Sequence, residues 1–341
     1  MKLGRIVILV LIALVMGYIT NRISLDRDVV VKQGDTYQTF LSHMSWWDRI
    51  TFKIFLKLNY QKTPTLYPGV YRVDKSLSYH TFLNTITTAP KPITVKVTFL
   101  EGRSSWDYDT YLSRKGLIQS GEYRSLVTNN QFIDTVRSEF TFLPEKLTSL
   151  EGFLYPDTYH LDANKGSLPE QLIKLQLDAF YTKVRGPDPT LFTDFSRKLA
   201  NDGFVFKMSP YSIVKLASII ENEEKDNQNK QTIAGIFLNR IAEGMQLGAD
   251  VTLCYGKSIT YDQCTPSFIV KHLYDKSNPY NTRTNAGLPP TPISNPSVYT
   301  FAGVLTYHKT NYLYYLHDSE GTIHYGSTLQ QHNENKQNFL K

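Results

Sequence analysis

Apolar positions along the chain follow three patterns: one continuous run, short alternating stretches, and longer segments at helical spacing. The continuous run comes first. Residues 6–21 carry no charge between Arg5 and Arg22. A helix of that length spans roughly 24 Å, slightly short of a hydrocarbon core of about 30 Å. Leu3 and Gly4 extend the run, and Arg5 and Arg22 can snorkel to the two interfaces. The run ends in Met16-Gly17-Tyr18-Ile19-Thr20, a poor match to the small-residue cleavage site of a signal peptide. It therefore predicts an uncleaved transmembrane anchor over residues 6–21. Lys2 and Arg5 put the N-terminus in the cytoplasm and residues 23–341 on the outer side of the cell membrane.

The shorter patterns follow. Val29-Val30-Val31 is β-branched and predicts a strand, Gly34-Asp35 a turn, and Thr36 a helix N-cap. Residues 47–58 read as a helix and 64–73 as a turn and a strand. In 76–87, Leu77, Phe82, Leu83 and Ile86 fall at helical spacing. Residues 23–91 thus form a small α+β module, with Pro90-Lys91-Pro92 as its boundary. From 92 to 341 the pattern is mixed α/β. A strand is predicted at 93–100, a helix over 104–117 capped by Ser104 or Ser105, and a helix from Pro169 to Val184 ended at Gly186-Pro187. Helices follow at 209–225 and 230–243, then short strands at 312–316 and 322–325. Residues 120–141 are polar and receive no element.

Composition changes this picture little. At 41% hydrophobic and 20% charged residues, the chain is globular rather than disordered. Lys and Arg outnumber Asp and Glu by 37 − 31 = 6, spread without a basic block. That charge permits an anionic partner, but no nucleic-acid motif accompanies it, so nucleic acid is excluded as the partner. The two cysteines, Cys254 and Cys264, define no framework, and both a single loop-closing bond and two free thiols remain open. The eight histidines form no H-E-x-x-H or tight ligand cluster, so neither metal nor cofactor is expected. The Gly256-Lys257-Ser258 triplet lacks the upstream glycine of a phosphate loop, since position 251 is valine. No G-x-S-x-G elbow occurs.

Candidate chemistry concentrates at 218–226, SIIENEEKD, where an apolar run meets Glu221, Glu223, Glu224 and Asp226. Ser209 and Pro210 start this helix. With Ile213 at 0°, the apolar face of Ile213, Leu216, Ala217, Ile219 and Ile220 centres near 350° at about 100° per residue. Glu221 then falls near 80°, Glu223 near 280° and Glu224 near 20°. Asp226 lies on the solvated side. A carboxyl at the rim of an apolar stripe is partly desolvated, which suits a general acid. Periodicity alone leaves the three glutamates open.

Four blocks carry a family resemblance: LEGFLYPDTYHL (150–161), LASIIENE (216–223), IAGIFLNRIAEGMQLGADVTLCYG (233–256) and YNTRTNAGLPPTPISNP (280–296). In that order, they resemble the MltG/YceG family of endolytic murein transglycosylases. The ending HNENKQNFLK and the upstream stretches YPGVYRV and VTFLEGRS resemble it as well, and VVVKQGDTYQTFL resembles the opening of a LysM module. The resemblance implies an anchor (1–22), a LysM-like peptidoglycan-binding module (23–91) and a YceG-type catalytic region (92–341). It implies peptidoglycan strands as substrate, with the lipid bilayer and cell-wall synthases as partners.

Carried over by position, Glu221 is the implied catalytic acid and Glu223 its neighbour. Glu151, Tyr159, Asn239, Asp250, Thr252, Tyr280 and Asn281 are the implied sugar-binding or supporting residues. Glu151 has a structural alternative, pairing with Arg240, and Tyr155 and Tyr159 have a core alternative. The chain departs from the pattern at Asn222, Gly248, Val251 and Arg283, where Lys, Gln, Pro and an aromatic residue are usual. A non-catalytic wall-binding or scaffold protein is the competing reading.

Overall fold

The computed structural model describes residues 22–23, 29–32, 34–42, 44–71, 77–88, 94–186 and 190–340. The apolar run 6–21 and the Pro90-Lys91-Pro92 boundary lie outside these residues. Among the described residues, no helix is long and apolar enough to cross a membrane. The chain divides into two compact units, Met1–Val95 with Asp162–Gly166, and Lys96–Leu161 with Ser167–Lys341.

In the first unit, β1 (Arg22–Ile23) is followed by β2 (Val29–Val31), α1 (Tyr37–Leu41), α2 (Trp46–Asn59), β3 (Gly69–Tyr71), β4 (Leu77–Ser78) and α3 (Tyr79–Thr87). Strands β2 and β3 pair antiparallel with Val30 opposite Val70, and β1 pairs with β4. Thr36 caps α1 and Ser45 caps α2, each accepting a backbone N–H from the first turn, as short polar residues do at helix starts. Helix α2 buries Thr51, Phe52, Phe55 and Leu56 on one face. Phe52 meets Tyr79 and Phe82 edge-on at 5.4 Å, and the Tyr79 hydroxyl donates to Thr51 Oγ1 at 2.6 Å. A helical face, a β-β pair and this aromatic cluster close one small core.

The second unit, from Lys96, takes in most of β5 (Thr94–Thr98), then α4 (Ser105–Arg114), α5 (Glu122–Val127) and α6 (Asn130–Glu139). It continues through β6 (Thr158–Asp162), which pairs with β5, then α7 (Leu168–Phe180) and α8 (Leu191–Asn201). Helices α9 (Pro210–Glu223), α10 (Lys230–Ala242), α11 (Asp250–Gly256), α12 (Pro266–His272) and α13 (Val298–Leu305) follow. The hairpin β7 (Tyr314–His317) and β8 (Ile323–Gly326) pairs antiparallel, and α14 (Leu329–Phe339) packs on it. Helix α9 is the centre: α8, α10, α11 and α13 all pack against it. Ile213, Val214, Leu216, Ala217, Ser218, Ile219 and Ile220 are all buried, so over those two turns only Lys215 reaches solvent in part. Only its C-terminal turn carries acids.

The 120–141 stretch holds two helices. Each buries only two residues, Tyr123 with Val127 and Ile133 with Val136, so the apolar signal is thin. Ser104 starts α4, with its N–H and hydroxyl both donating to Asp107. A glycine decides the chain path beside α9. Gly152 has φ +87°, and a Cβ there would fall 2.6 Å from Pro292 and 2.7 Å from Val214. Only glycine lets this loop close on both.

Candidate active site

The three glutamates at the end of α9 have different surroundings. Glu221 Oε2 accepts from the Ser297 N–H at 2.8 Å, the Ser297 hydroxyl at 2.9 Å and the Thr300 hydroxyl. Its Oε1 accepts from Lys230 Nζ at 3.2 Å, with side-chain exposures of 7% for Glu221 and 2% for Lys230. Every partner is a donor fixed by the start of α10 or α13, so the protein already fills this carboxylate. Glu224 is buried as the C-cap of α9. Its Oε1 accepts from the Asp226 N–H at 2.7 Å and its Oε2 meets His317 Nε2 at 3.2 Å, tying the helix end to β7. Asp226 is exposed, as expected, although it lies beyond the helix, which ends at Glu223.

Glu223 has the setting of an acid. Like Glu221 it is partly accessible, and the Tyr315 hydroxyl donates to Oε2 at 2.7 Å. Among the described residues, no donor bonds its Oε1. Burial pushes its carboxyl above the ordinary range, the Tyr315 bond pulls the other way, and Asp250 pushes it further up while Arg240 and Arg283 oppose. Both arginines line an open cavity of about 600 Å³ together with Met245, Gln246, Gly248, Tyr274 and Tyr314. Arg240 is braced by the Leu313 and Leu247 carbonyls. Gly248 has φ +68°, a left-handed backbone that disfavours the glutamine usual at this point of the pattern.

The implied sugar contacts divide into framework and rim. Glu151 is fully buried. It accepts from the Ser105 N–H and hydroxyl, from Tyr255 at 3.1 Å and from Asn295 Nδ2 at 2.7 Å, rather than from Arg240. Burial raises its pKa and the Ser105 hydroxyl bond opposes that. Tyr159 is buried with its hydroxyl on the Tyr155 carbonyl at 2.6 Å. Thr252 is buried between the Ala249 carbonyl and Thr282. Asn281 is buried and donates to the Leu273 and Asp275 carbonyls. Asn239 donates to the Thr310 and Tyr312 carbonyls at 3.0 Å, fixing the approach to β7. Tyr280 is partly buried, with its hydroxyl 2.9 Å from Thr291 Oγ1. Asp250 bonds Arg283 Nε at the cavity rim. Thus Glu151, Tyr159, Thr252 and Asn281 are buried framework, and of the implied set Asp250 bonds the cavity-lining Arg283 and Glu223 interacts electrostatically with both cavity arginines.

Several residues that shape the site gave little sequence signal. Lys230 is one cation at the head of an apolar helix. Tyr315 lies in a short alternating strand, and Tyr274 in a polar loop. Asn295 accepts the Gly152 and Leu154 N–H groups and donates to Glu151, knitting the first block to the fourth. Glu101 is exposed, and its pKa is raised by burial and then by the Glu221 charge. The adjacent Gly102 packs on Glu221, where an added Cβ would lie 3.3 Å from Cγ. Cys254 and Cys264 are joined in a disulfide with Cα atoms 5.6 Å apart. No group of three or more metal-ligating side chains occurs among the described residues.

The central helix of the second unit thus ends in a desolvated carboxyl, Glu223, on which Asp250, Arg240 and Arg283 act electrostatically. The chain belongs to the YceG-like family, whose model matches residues 29–338. It is 25% identical over 299 residues to the endolytic murein transglycosylase of Bacillus subtilis, covering 85% of this chain and 77% of that one. It is 24% identical over 310 residues to the protein of the same name from Streptococcus pneumoniae strain D39, covering 84% of this chain. The chain matches about half (52%) of the pneumococcal protein's length. The crystal structure of a putative yceG-like protein from Listeria monocytogenes shares the fold, with a TM-score of 0.57 and 22% identity over 92% of this chain and 98% of that one.

Proposed function

We propose that this chain is a membrane-anchored endolytic transglycosylase of peptidoglycan, with Glu223 carrying the proton. The observation that carries the choice is the contrast at the end of α9. Glu221 has its oxygens filled by Lys230, Ser297 and Thr300, whereas Glu223 keeps one oxygen free and burial favours its protonated form. The relatives named endolytic murein transglycosylase support the reaction class.

Protonated Glu223 gives its proton to the oxygen of the β-1,4 bond between MurNAc and GlcNAc, and that C1–O bond breaks. The carboxylate left behind takes the proton of the MurNAc C6 hydroxyl. The C6 oxygen bonds to C1, closing a 1,6-anhydro ring and restoring the acid. No water is consumed, so one carboxyl serves both steps, unlike the two of ordinary glycosidases. Tyr315 aims the carboxyl, and Arg240 and Arg283 favour the carboxylate that forms on Glu223 when its proton leaves. The β2-α1-α2-β3 order within the first unit supports reading that part as a LysM-like module that holds the strand. Residues 6–21 are the proposed anchor.

A second reading keeps Glu221 itself as the acid, as the motif position implies, with the exposed Glu101 beside it. Digestion of purified peptidoglycan in heavy-oxygen water tests the reaction. We expect anhydro-MurNAc ends without label. Labelled reducing ends mean hydrolysis, and no released fragments mean a binding protein; either outcome defeats the proposal.

A further inference from the structure

We propose that Arg283, with Tyr274 beside it, forms a subsite that reads a carboxylate on the glycan strand. The inference rests on the peptidoglycan reading above and adds a charge preference to it. Arg283 is anchored but not used up. Asp250 holds Nε, and the Arg283 N–H donates to Asn281 Oδ1 at 3.1 Å. Asn281 is itself fixed to the Leu273 and Asp275 carbonyls. Among the described residues, no acceptor bonds Nη1 or Nη2, and the side chain is 38% exposed on the cavity wall. Arg240, on the same wall, differs in spending Nε and Nη1 on carbonyls.

A guanidinium with its terminal fork open fits the two oxygens of a carboxylate, a match that a point charge cannot make. Tyr274 lines the same cavity at 80% exposure and offers an aromatic face to an adjoining sugar ring. The charged groups facing Arg283 are Asp250, Glu223 and Arg240. Burial raises the Glu223 pKa, which lessens its negative charge against the two arginines that meet an incoming anion. Peptidoglycan strands offer carboxylates from two sources: the lactyl group of MurNAc where no peptide is attached, and the peptide itself where one is.

The test uses the full chain with Glu223→Gln, so that binding is read without turnover. Three probes are compared at equilibrium: peptide-free strands with free lactyl carboxylates, the same strands with those carboxylates amidated, and peptide-bearing strands. Adding Arg283→Gln should weaken binding by about tenfold or more for the probe whose carboxylate is read, and leave the amidated strands unchanged. The affected arm identifies the source. Arg283→Lys should recover only part of the loss, and Tyr274→Ala should weaken all three probes alike. Equal weakening of all three by Arg283→Gln, or no weakening, overturns the subsite, as does failure of every strand to bind. If charge-dependent binding persists while the wild type yields no anhydro ends, the subsite stands and the enzymatic reading falls.

Discussion

At the residue scale, two glutamates two positions apart have different partners, Lys230, Ser297 and Thr300 for Glu221 and Tyr315 for Glu223. Removing one member of a buried ion pair leaves the other charge uncompensated and typically costs about 3–5 kcal/mol. Lys230→Met should therefore destabilise the protein by that order in denaturant unfolding, because Glu221 would lose its buried ammonium. An unchanged midpoint would remove the ion pair from the account. Glu223 answers to pH. Its folded pKa is raised, so the acid form persists above the usual carboxylate range and is lost as pH rises through the raised value. The alkaline limb of the rate profile should follow that loss. The Tyr315 bond lowers this pKa, so Tyr315→Phe should move the limb to higher pH and reduce kcat. A limb that stays put would detach Tyr315 from the reacting group. The sequence showed the acidic cluster but not its division of labour. Helical phase placed Glu224 on the apolar face, but the helix ends at Glu223 and Glu224 is buried as an extended C-cap against His317; nor could phase foresee Lys230, Ser297 or Tyr315 arriving from other elements.

At the scale of elements, the legible parts were those with strong local signals. The Ser45-capped α2, the Ser209–Pro210 start of α9 and the β7–β8 hairpin stand close to where periodicity and caps put them. Helices α5, α6 and α8 and the short helices of 250–305 were not legible. Their buried positions are few or interleaved with Gly, Pro and Asn, and packing onto α9 or its neighbours supplies what local pattern lacks. The Cys254–Cys264 bond fastens α11 to the loop before α12. Closing a loop of about ten residues is worth about 3 kcal/mol on the chain-entropy account. Replacing both cysteines by alanine should lower Tm, and a reductant should lower wild-type Tm similarly. A Tm insensitive to both would show the bond to be dispensable.

At the scale of the whole molecule, four ordered blocks named a family that the chain belongs to, while individual side-chain roles stayed beyond reach of the pattern. Glu151 illustrates why. It stands in the first block, yet Ser105, Tyr255 and Asn295 enclose it completely, so a motif residue can hold the walls rather than touch sugar. The apolar run 6–21 gives the molecule its proposed place: a chain lacking residues 1–22 should leave the membrane fraction, and retention there would contradict the anchor. The central claim is that Glu223, not Glu221, transfers the proton. Its most direct test is to count anhydro-MurNAc ends released by Glu223→Gln and Glu221→Gln, each alongside its Tm. The account predicts that Glu223→Gln folds with undiminished Tm and releases almost none, while Glu221→Gln lowers Tm and keeps measurable turnover in its folded fraction. Anhydro ends at the wild-type rate from Glu223→Gln would contradict it.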